Sequence, residues 1–402
     1  MNMDRRSCLS AIVFAFLLIP QIAPVRTGSA GPLLGYAPWP THSWMRASPK
    51  EVNLNSTILQ NMVEYFSTDE ITIDSLIVVR RGYLVVEEYF SHYAGNDLHH
   101  LFSVTKSILS PLVGIAEDRD FIDSVNASML AFFQDKEIES LDDEKKAVTI
   151  AHLLRMTAGL DWSEEYYTAE LNDYNRMIRS EDWIQYVINK EVVNPPGSVF
   201  QYNSGLSHLL SAIIQTSSNM TTAAFADRYL FEPLGIEDYK WGTDPRGINE
   251  GGSKLKLKPL DMAKIGYLFL RGGLWDGVQI IPQNWIQETS TTLVKVNEKV
   301  GYSLHWWTLP ELNAYFALGW GSQGIIVLPD AGIVTVITAA TLHESADAEN
   351  ILCRWILPSL GINKAQTRMH LRFSPALLIL AGGPFALIVL VHIWDQKRLW
   401  ED

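Results

Sequence analysis

The spacing of apolar residues changes period several times along the chain, and each change marks an expected element. Residues 53–66 carry apolar positions at helical spacing. Residues 71–79 and 84–90 are rich in β-branched and aromatic residues and flank Arg80-Arg81-Gly82-Tyr83, the signature of a hairpin. Residues 103–116 form an apolar helix, and residues 117–251 read as helices and loops with few β-rich runs. A helix over 259–270 ends at the turn Arg271-Gly272-Gly273, and a Trp-rich segment follows. A second hairpin is expected from 324–328 and 333–339 about the turn 329–332, and a closing helix over 349–360. Strands at both ends of a helical insertion predict a two-part α/β (α+β) domain over 51–362. One half is built from 51–116 and 255–362, and an all-helical half from 117–254. Residues 31–50 read as an irregular lead-in rich in Pro, Gly and Trp.

The two ends have a different pattern. Arg5 and Arg6 precede an apolar run over about 9–19, and Gly28-Ser29-Ala30 supplies small residues for cleavage, so 1–30 is expected to be an export signal. An uncleaved anchor helix is the alternative. Residues 375–394 hold no Asp, Glu, Lys or Arg, and twenty such residues suffice to cross a hydrocarbon core of about 30 Å. A transmembrane helix is expected there, with a juxtamembrane segment over 363–374 and a tail over 395–402; a buried core helix is the alternative. Together these ends predict a single-pass membrane protein with its catalytic domain extracytoplasmic, and the membrane as a partner through the C-terminal helix.

Composition narrows the function. With 47% hydrophobic and 19% charged residues the chain can bury a sizeable core. A net charge of −13 argues against nucleic acid as a partner, since phosphate binding needs a basic surface. The only cysteines, Cys8 and Cys353, make neither a disulfide framework nor a zinc site. His99-His100 lack companions for a ligand set, so no metal and no cofactor is expected.

Two stretches carry candidate chemistry. Ser-x-x-Lys occurs twice, at Ser103–Lys106 and Ser253–Lys256. The second lies in a polar loop and reads as chance. The first opens an apolar helix, where side chains three apart share a face and free N–H groups favour nearby negative charge. A serine hydroxyl needs a base to become a nucleophile. A lysine serves as that base only where its ordinary pKa of about 10.4 is lowered by burial or a nearby cation. The walls available are Ile108–Leu109 and Leu112–Val113. The alternative is a serine cap with a solvated lysine one turn later. The second stretch is Pro195-Pro196-Gly197 leading to Tyr202, Asn203 and Ser204 ahead of another apolar helix. A tyrosine held there can relay a proton, or it can simply pack under a turn. Glu164-Glu165 read as a solvated loop, and Trp306 and Trp307 as core or pocket wall.

Five stretches in order resemble the serine β-lactamase-related hydrolases, which include class C β-lactamases, DD-peptidases, esterases and aminohexanoate-oligomer hydrolases. They are LFSVTKSILSPLVGIAEDRDFI, TIAHLLRMTAGLDW, PPGSVFQYNSGLSHLLSAII, LKLKPLDMAKIGYLFLRGGLWDGVQIIPQNW and ALGWGSQGIIVLPDAGIVTVIT. The resemblance spans roughly 50–360. It implies the β-lactamase/transpeptidase-like fold, an antiparallel sheet flanked by helices from both termini. It also implies that Ser103 is acylated, Lys106 takes its proton, Tyr202 assists the leaving group, and the backbone N–H groups of Ser103 and Trp320 form an oxyanion hole. Asn203, Ser204 and Gly319 are candidate substrate-binding positions. Two departures bear on substrate. Ala317-Leu318-Gly319 stands where the family usually has Lys or His, Thr or Ser, and Gly, and Ser204 stands where Asn is usual. Both are similar to the aminohexanoate-oligomer branch, so a small-molecule or short peptide-like amide or ester is the expected substrate. A penicillin-binding DD-peptidase or β-lactamase-like enzyme, and a non-catalytic membrane-tethered sensor, are the alternatives.

Overall fold

The structure is a computed structural model describing residues 34–68, 73–164, 172–339 and 348–362. Its centre is an eight-stranded antiparallel sheet. In spatial order the strands are Tyr83–Tyr89, Ser75–Arg80, Ile333–Thr338, Gln323–Leu328, Ala314–Gly319, Trp307–Leu309, Gly301–Tyr302 and Val294–Lys295. The first two are the expected hairpin. Arg81 and Gly82 both have positive φ, 50° and 81°, which matches the twist a two-residue hairpin turn requires. The N-terminal and C-terminal parts of the chain meet where Ile77 lies opposite Val336.

Helices cover both faces of this sheet, so its central strands are buried on alternate sides of two cores. Ile325, Val327, Val334 and Val336 face one core with the helices Val104–Asp118 and Pro259–Leu270. Ile326, Leu328, Ile333 and Ile337 face the other with Ser56–Phe66 and the closing helical run Ala348–Ser359. Gly266 lets its helix lie close on the sheet, because a Cβ there would collide with Val334 and Ile325. The helical insertion includes Ile150–Leu154, Asp173–Arg179, Trp183–Ile188, Ser204–Ser218 and Thr222–Ala226. A small sheet of His99–His100, Leu255–Leu257 and Lys240–Trp241 stitches the halves together. One of its strands falls inside the stretch read as helical, and none exceeds three residues, too few for an alternating pattern to register.

The expected C-terminal transmembrane helix is corrected. No helix among the described residues is long and apolar enough to cross a membrane. The longest, Val104–Asp118 and Ser204–Ser218, have 15 residues each, and at about 1.5 Å per residue they fall short of a core of about 30 Å. Residues 375–394, the segments 363–374 and 395–402, and the export signal over 1–30 lie outside the described residues.

Candidate active site

The chain enters the site along His99–His100, and the Leu101 N–H donates to the Leu255 carbonyl at 2.9 Å. It then turns sharply. Phe102 adopts φ +45°, a left-handed conformation rare for a bulky residue, and Ser103 caps the helix Val104–Asp118. Lys106 follows one turn later on the same face and is only 2% exposed. Its Nζ lies 3.0 Å from Ser103 Oγ, donates to the Gly252 carbonyl at 2.8 Å, and sits 5.0 Å from the centre of the Tyr202 ring. The expected walls are present, since Ile108, Leu109, Leu112 and Val113 are fully buried. Pro111 lies inside this helix without ending it. The other Ser-x-x-Lys is no helical pair: Ser253 precedes the strand Leu255–Leu257 and accepts the Thr105 hydroxyl through its carbonyl.

Tyr202 comes from the opposite side. Gly197, at φ +87°, donates its N–H to the Thr157 carbonyl at 2.7 Å, and Gln201 N–H donates to Met156 at 2.8 Å, so the tyrosine loop is pinned to the preceding segment. The Tyr202 ring stacks on Trp307, with centroids 6.2 Å apart and planes 15° apart. The structure therefore brings Ser103, Lys106 and Tyr202 together.

Asn203 and Ser204, the expected substrate-binding positions, also make bonds within the protein. Each is 2% exposed. Asn203 Oδ1 accepts the Leu206 N–H at 3.2 Å and caps the helix Ser204–Ser218. The N–H and Oγ of Ser204 donate to Glu164 at 2.7 and 2.5 Å. Asn203 through Oδ1 and Ser204 through its N–H and hydroxyl thus help to hold the tyrosine loop. Glu164 is thus a buried clamp rather than part of a solvated loop. The sequence around it carries no signal of this, because its partner lies 40 residues away.

Gly319 ends the strand Ala314–Gly319 beside the nucleophile. A Cβ there would stand 3.2 Å from the Ser103 backbone nitrogen and collide with the Leu101 carbonyl. Trp320 follows on the rim, 38% exposed, with its ring 5.1 Å from that of Phe102. Ala317 is fully buried in the core and brings no cation to the site.

A neutral histidine braces the site from below. His305 is 1% exposed, and its Nδ1–H donates to the Leu154 carbonyl at 2.8 Å while Nε2 accepts from Ser207 at 2.9 Å. Burial, and then the Lys106 charge, lower its pKa to about 3. Its carbonyl accepts the Ser107 hydroxyl at 2.6 Å. One residue therefore ties three helices below Lys106. Burial also raises the Tyr174 and Tyr302 phenols well above their ordinary range, with Glu250 adding to the shift at Tyr174 and Tyr202 at Tyr302, so both stay neutral. Trp306 is core, its Nε1–H donating to the Ser107 carbonyl at 3.0 Å. Among the described residues no group of three or more His, Cys, Asp or Glu side chains is arranged to hold a metal ion.

A family model described as Beta-lactamase matches residues 60–353. A curated relative, the 6-aminohexanoate-dimer hydrolase of Paenarthrobacter ureafaciens, is 22% identical over 260 residues, 60% of this chain and 65% of the relative. The match thus spans less than two thirds of that relative's length. A solved Bacillus anthracis structure assigned as a 6-aminohexanoate-dimer hydrolase is similar with a TM-score of 0.64 and 22% identity, covering 75% of this chain and 82% of the other. EstCE1, a hydrolase with promiscuous acyltransferase activity, is similar with a TM-score of 0.63 and 15% identity, covering 76% and 98%. At these identities the solved structures speak for the fold.

Proposed function

The chain belongs to the beta-lactamase family, a family of hydrolases, and on that premise we propose that it is a serine hydrolase that opens an ester or amide through an acyl-enzyme. The observation that carries the reading is the buried Lys106 Nζ at 3.0 Å from Ser103 Oγ, with Tyr202 across from it. Ser103 Oγ attacks the carbonyl carbon and passes its proton to Lys106 Nζ. The oxyanion forms against the backbone N–H groups of Ser103 and Trp320, where one such donor is typically worth about 10²–10³ in rate. As the adduct collapses, the leaving oxygen or nitrogen takes a proton through Tyr202, and the acyl group stays on Ser103. A water then adds to the acyl carbon and gives its proton to the Lys106–Tyr202 pair; the Ser103 Oγ–acyl bond breaks, the proton returns to Oγ, and the acid leaves.

An ester or amide is favoured over a β-lactam because Ala317, sealed in the core, stands where the resemblance leads one to expect a cation for a substrate carboxylate. The activities named for the similar proteins, dimer hydrolysis and acyl transfer, are of the same kind. The test is labelling by a fluorophosphonate probe and turnover of p-nitrophenyl esters and short amides. Ser103→Ala is expected to abolish both, and a Ser103→Ala chain that labels and turns over like wild type overturns the proposal. We also propose that the domain works outside the cytoplasm, from the export-type segment at its N-terminus; recovery of the native protein in the cytosol on fractionation refutes that.

A further inference from the structure

The His99-His100 pair is not used by the chemistry above, yet His100 touches the turn that presents the nucleophile. The strand His99–His100 pairs with Leu255–Leu257, His99 opposite Leu257 and His100 opposite Lys256. The ladder runs one residue further, through Leu101 N–H to the Leu255 carbonyl. At Phe102 it stops, because φ +45° swings the backbone away from the neighbouring strand. The Phe102 N–H, no longer able to bond the strand, donates instead to His100 Nδ1 at 3.1 Å. The two rings also pack, with centroids 4.1 Å apart. A left-handed conformation at a bulky residue persists only where its surroundings hold it, and such strain gathers at functional turns. The next residue is Ser103, whose backbone nitrogen lies beside Gly319.

We infer that His100 is a positioning residue for Ser103: its Nδ1 lone pair holds the Phe102 N–H and so fixes the left-handed turn that aims the Ser103 hydroxyl and amide. The role needs an imidazole with a free lone pair at Nδ1. Burial, followed by the Lys256 and Lys254 charges, lowers the His100 pKa to about 4, so the ring is neutral at working pH. The inference rests on the hydrolase reading for its consequence, but the hydrogen bond itself is a property of the turn.

Asparagine can accept an N–H two residues on, in the manner of an Asx turn, whereas glutamine carries its acceptor one methylene too far. The experiment compares His100→Asn and His100→Gln in the full chain. Amide hydrogen exchange is read in the peptide holding Phe102, and kcat and KM on p-nitrophenyl butyrate. His100→Gln is expected to exchange at Phe102 about tenfold faster and to lose about tenfold in kcat, with KM within about twofold, the scale of one lost hydrogen bond. His100→Asn should recover both to within about threefold of wild type. An Asn variant no better than Gln, or a Gln variant with wild-type exchange, overturns the inference. So does a Gln variant with fast exchange and wild-type kcat. Exchange is read without turnover, so a wild-type chain with a protected Phe102 amide and no esterase activity counts against the hydrolase reading alone.

Discussion

Replacing Glu164 tests whether the tyrosine loop is held from below by a buried carboxylate. Among the described residues its side chain accepts from Trp162 Nε1–H at 2.9 Å, Ser204 N–H at 2.7 Å and Ser204 Oγ–H at 2.5 Å. The first two meet at Oε2 and come from donors that cannot reverse. In Glu164→Gln the amide oxygen must therefore take the Oε2 place. The amide nitrogen then faces Ser204 Oγ, which turns to accept. Geometry survives and charge does not. Bonds to charged groups are worth about 1.5–3 kcal/mol and neutral ones about 0.5–1.5, a difference of about 1–1.5 per bond and at most about 3–4.5 kcal/mol for the three together. Glu164→Leu strands the Ser204 and Trp162 N–H groups, at about 1–3 kcal/mol each. Glu164 is 8% exposed, so solvent does little to soften either loss. In thermal unfolding, at about 2–4 °C per kcal/mol, Gln should lower Tm by several degrees and Leu by more. Tyr202 lies two residues before Ser204, so kcat should fall with Tm. A cycle with Ser204→Ala should return a coupling of about 0.5–3 kcal/mol. Glu164→Leu within about 0.5 kcal/mol of wild type would refute the clamp.

Three further outcomes follow from the same geometry. Asn203→Ala should destabilise by about 1 kcal/mol through loss of the cap and leave KM unchanged; a raised KM at unchanged stability would return Asn203 to a substrate-binding role. Gly319→Ala drives a methyl into the Leu101 carbonyl and against the Ser103 nitrogen, so fluorophosphonate labelling should slow by about 10²-fold, the scale of one oxyanion donor; labelling at the wild-type rate would exclude the oxyanion placement. His305 is held neutral, its pKa lowered from 6.5 to about 3. The unfolded chain therefore binds a proton below pH 6.5 that the folded chain refuses. The stability present above pH 6.5 is lost as pH falls toward 3, at about 1.4 kcal/mol per pH unit for this one group. His305→Gln should flatten that slope in urea unfolding, and a wild-type chain of constant stability from pH 6.5 to 4.5 would refute it.

The local sequence carried the elements whose pattern is long and self-contained. The helices at Ser103 and Pro259 and the hairpins about Arg81-Gly82 and Pro329–Gly332 sit where period and turn chemistry put them, because helix period and positive-φ turns are settled within a few residues. The Ser103–Lys106 spacing belongs to the same class, since one helical turn suffices to bring the pair together. What only tertiary structure decided lies at contacts between distant residues. The short strands Trp307–Leu309, Gly301–Tyr302 and Val294–Lys295 exist because the sheet offers them an edge. Glu164 becomes a clamp because Ser204 is folded against it, and Asn203 becomes a cap because a helix starts there. The apolar run 375–394 lies outside the described residues, among which no helix is long and apolar enough to cross a membrane. A residue's type limits what it can do, but which of its bonds are made depends on what the fold sets beside it. For Lys106 that is the carbonyl of Gly252, the ring of Tyr202 and the hydroxyl of Ser103.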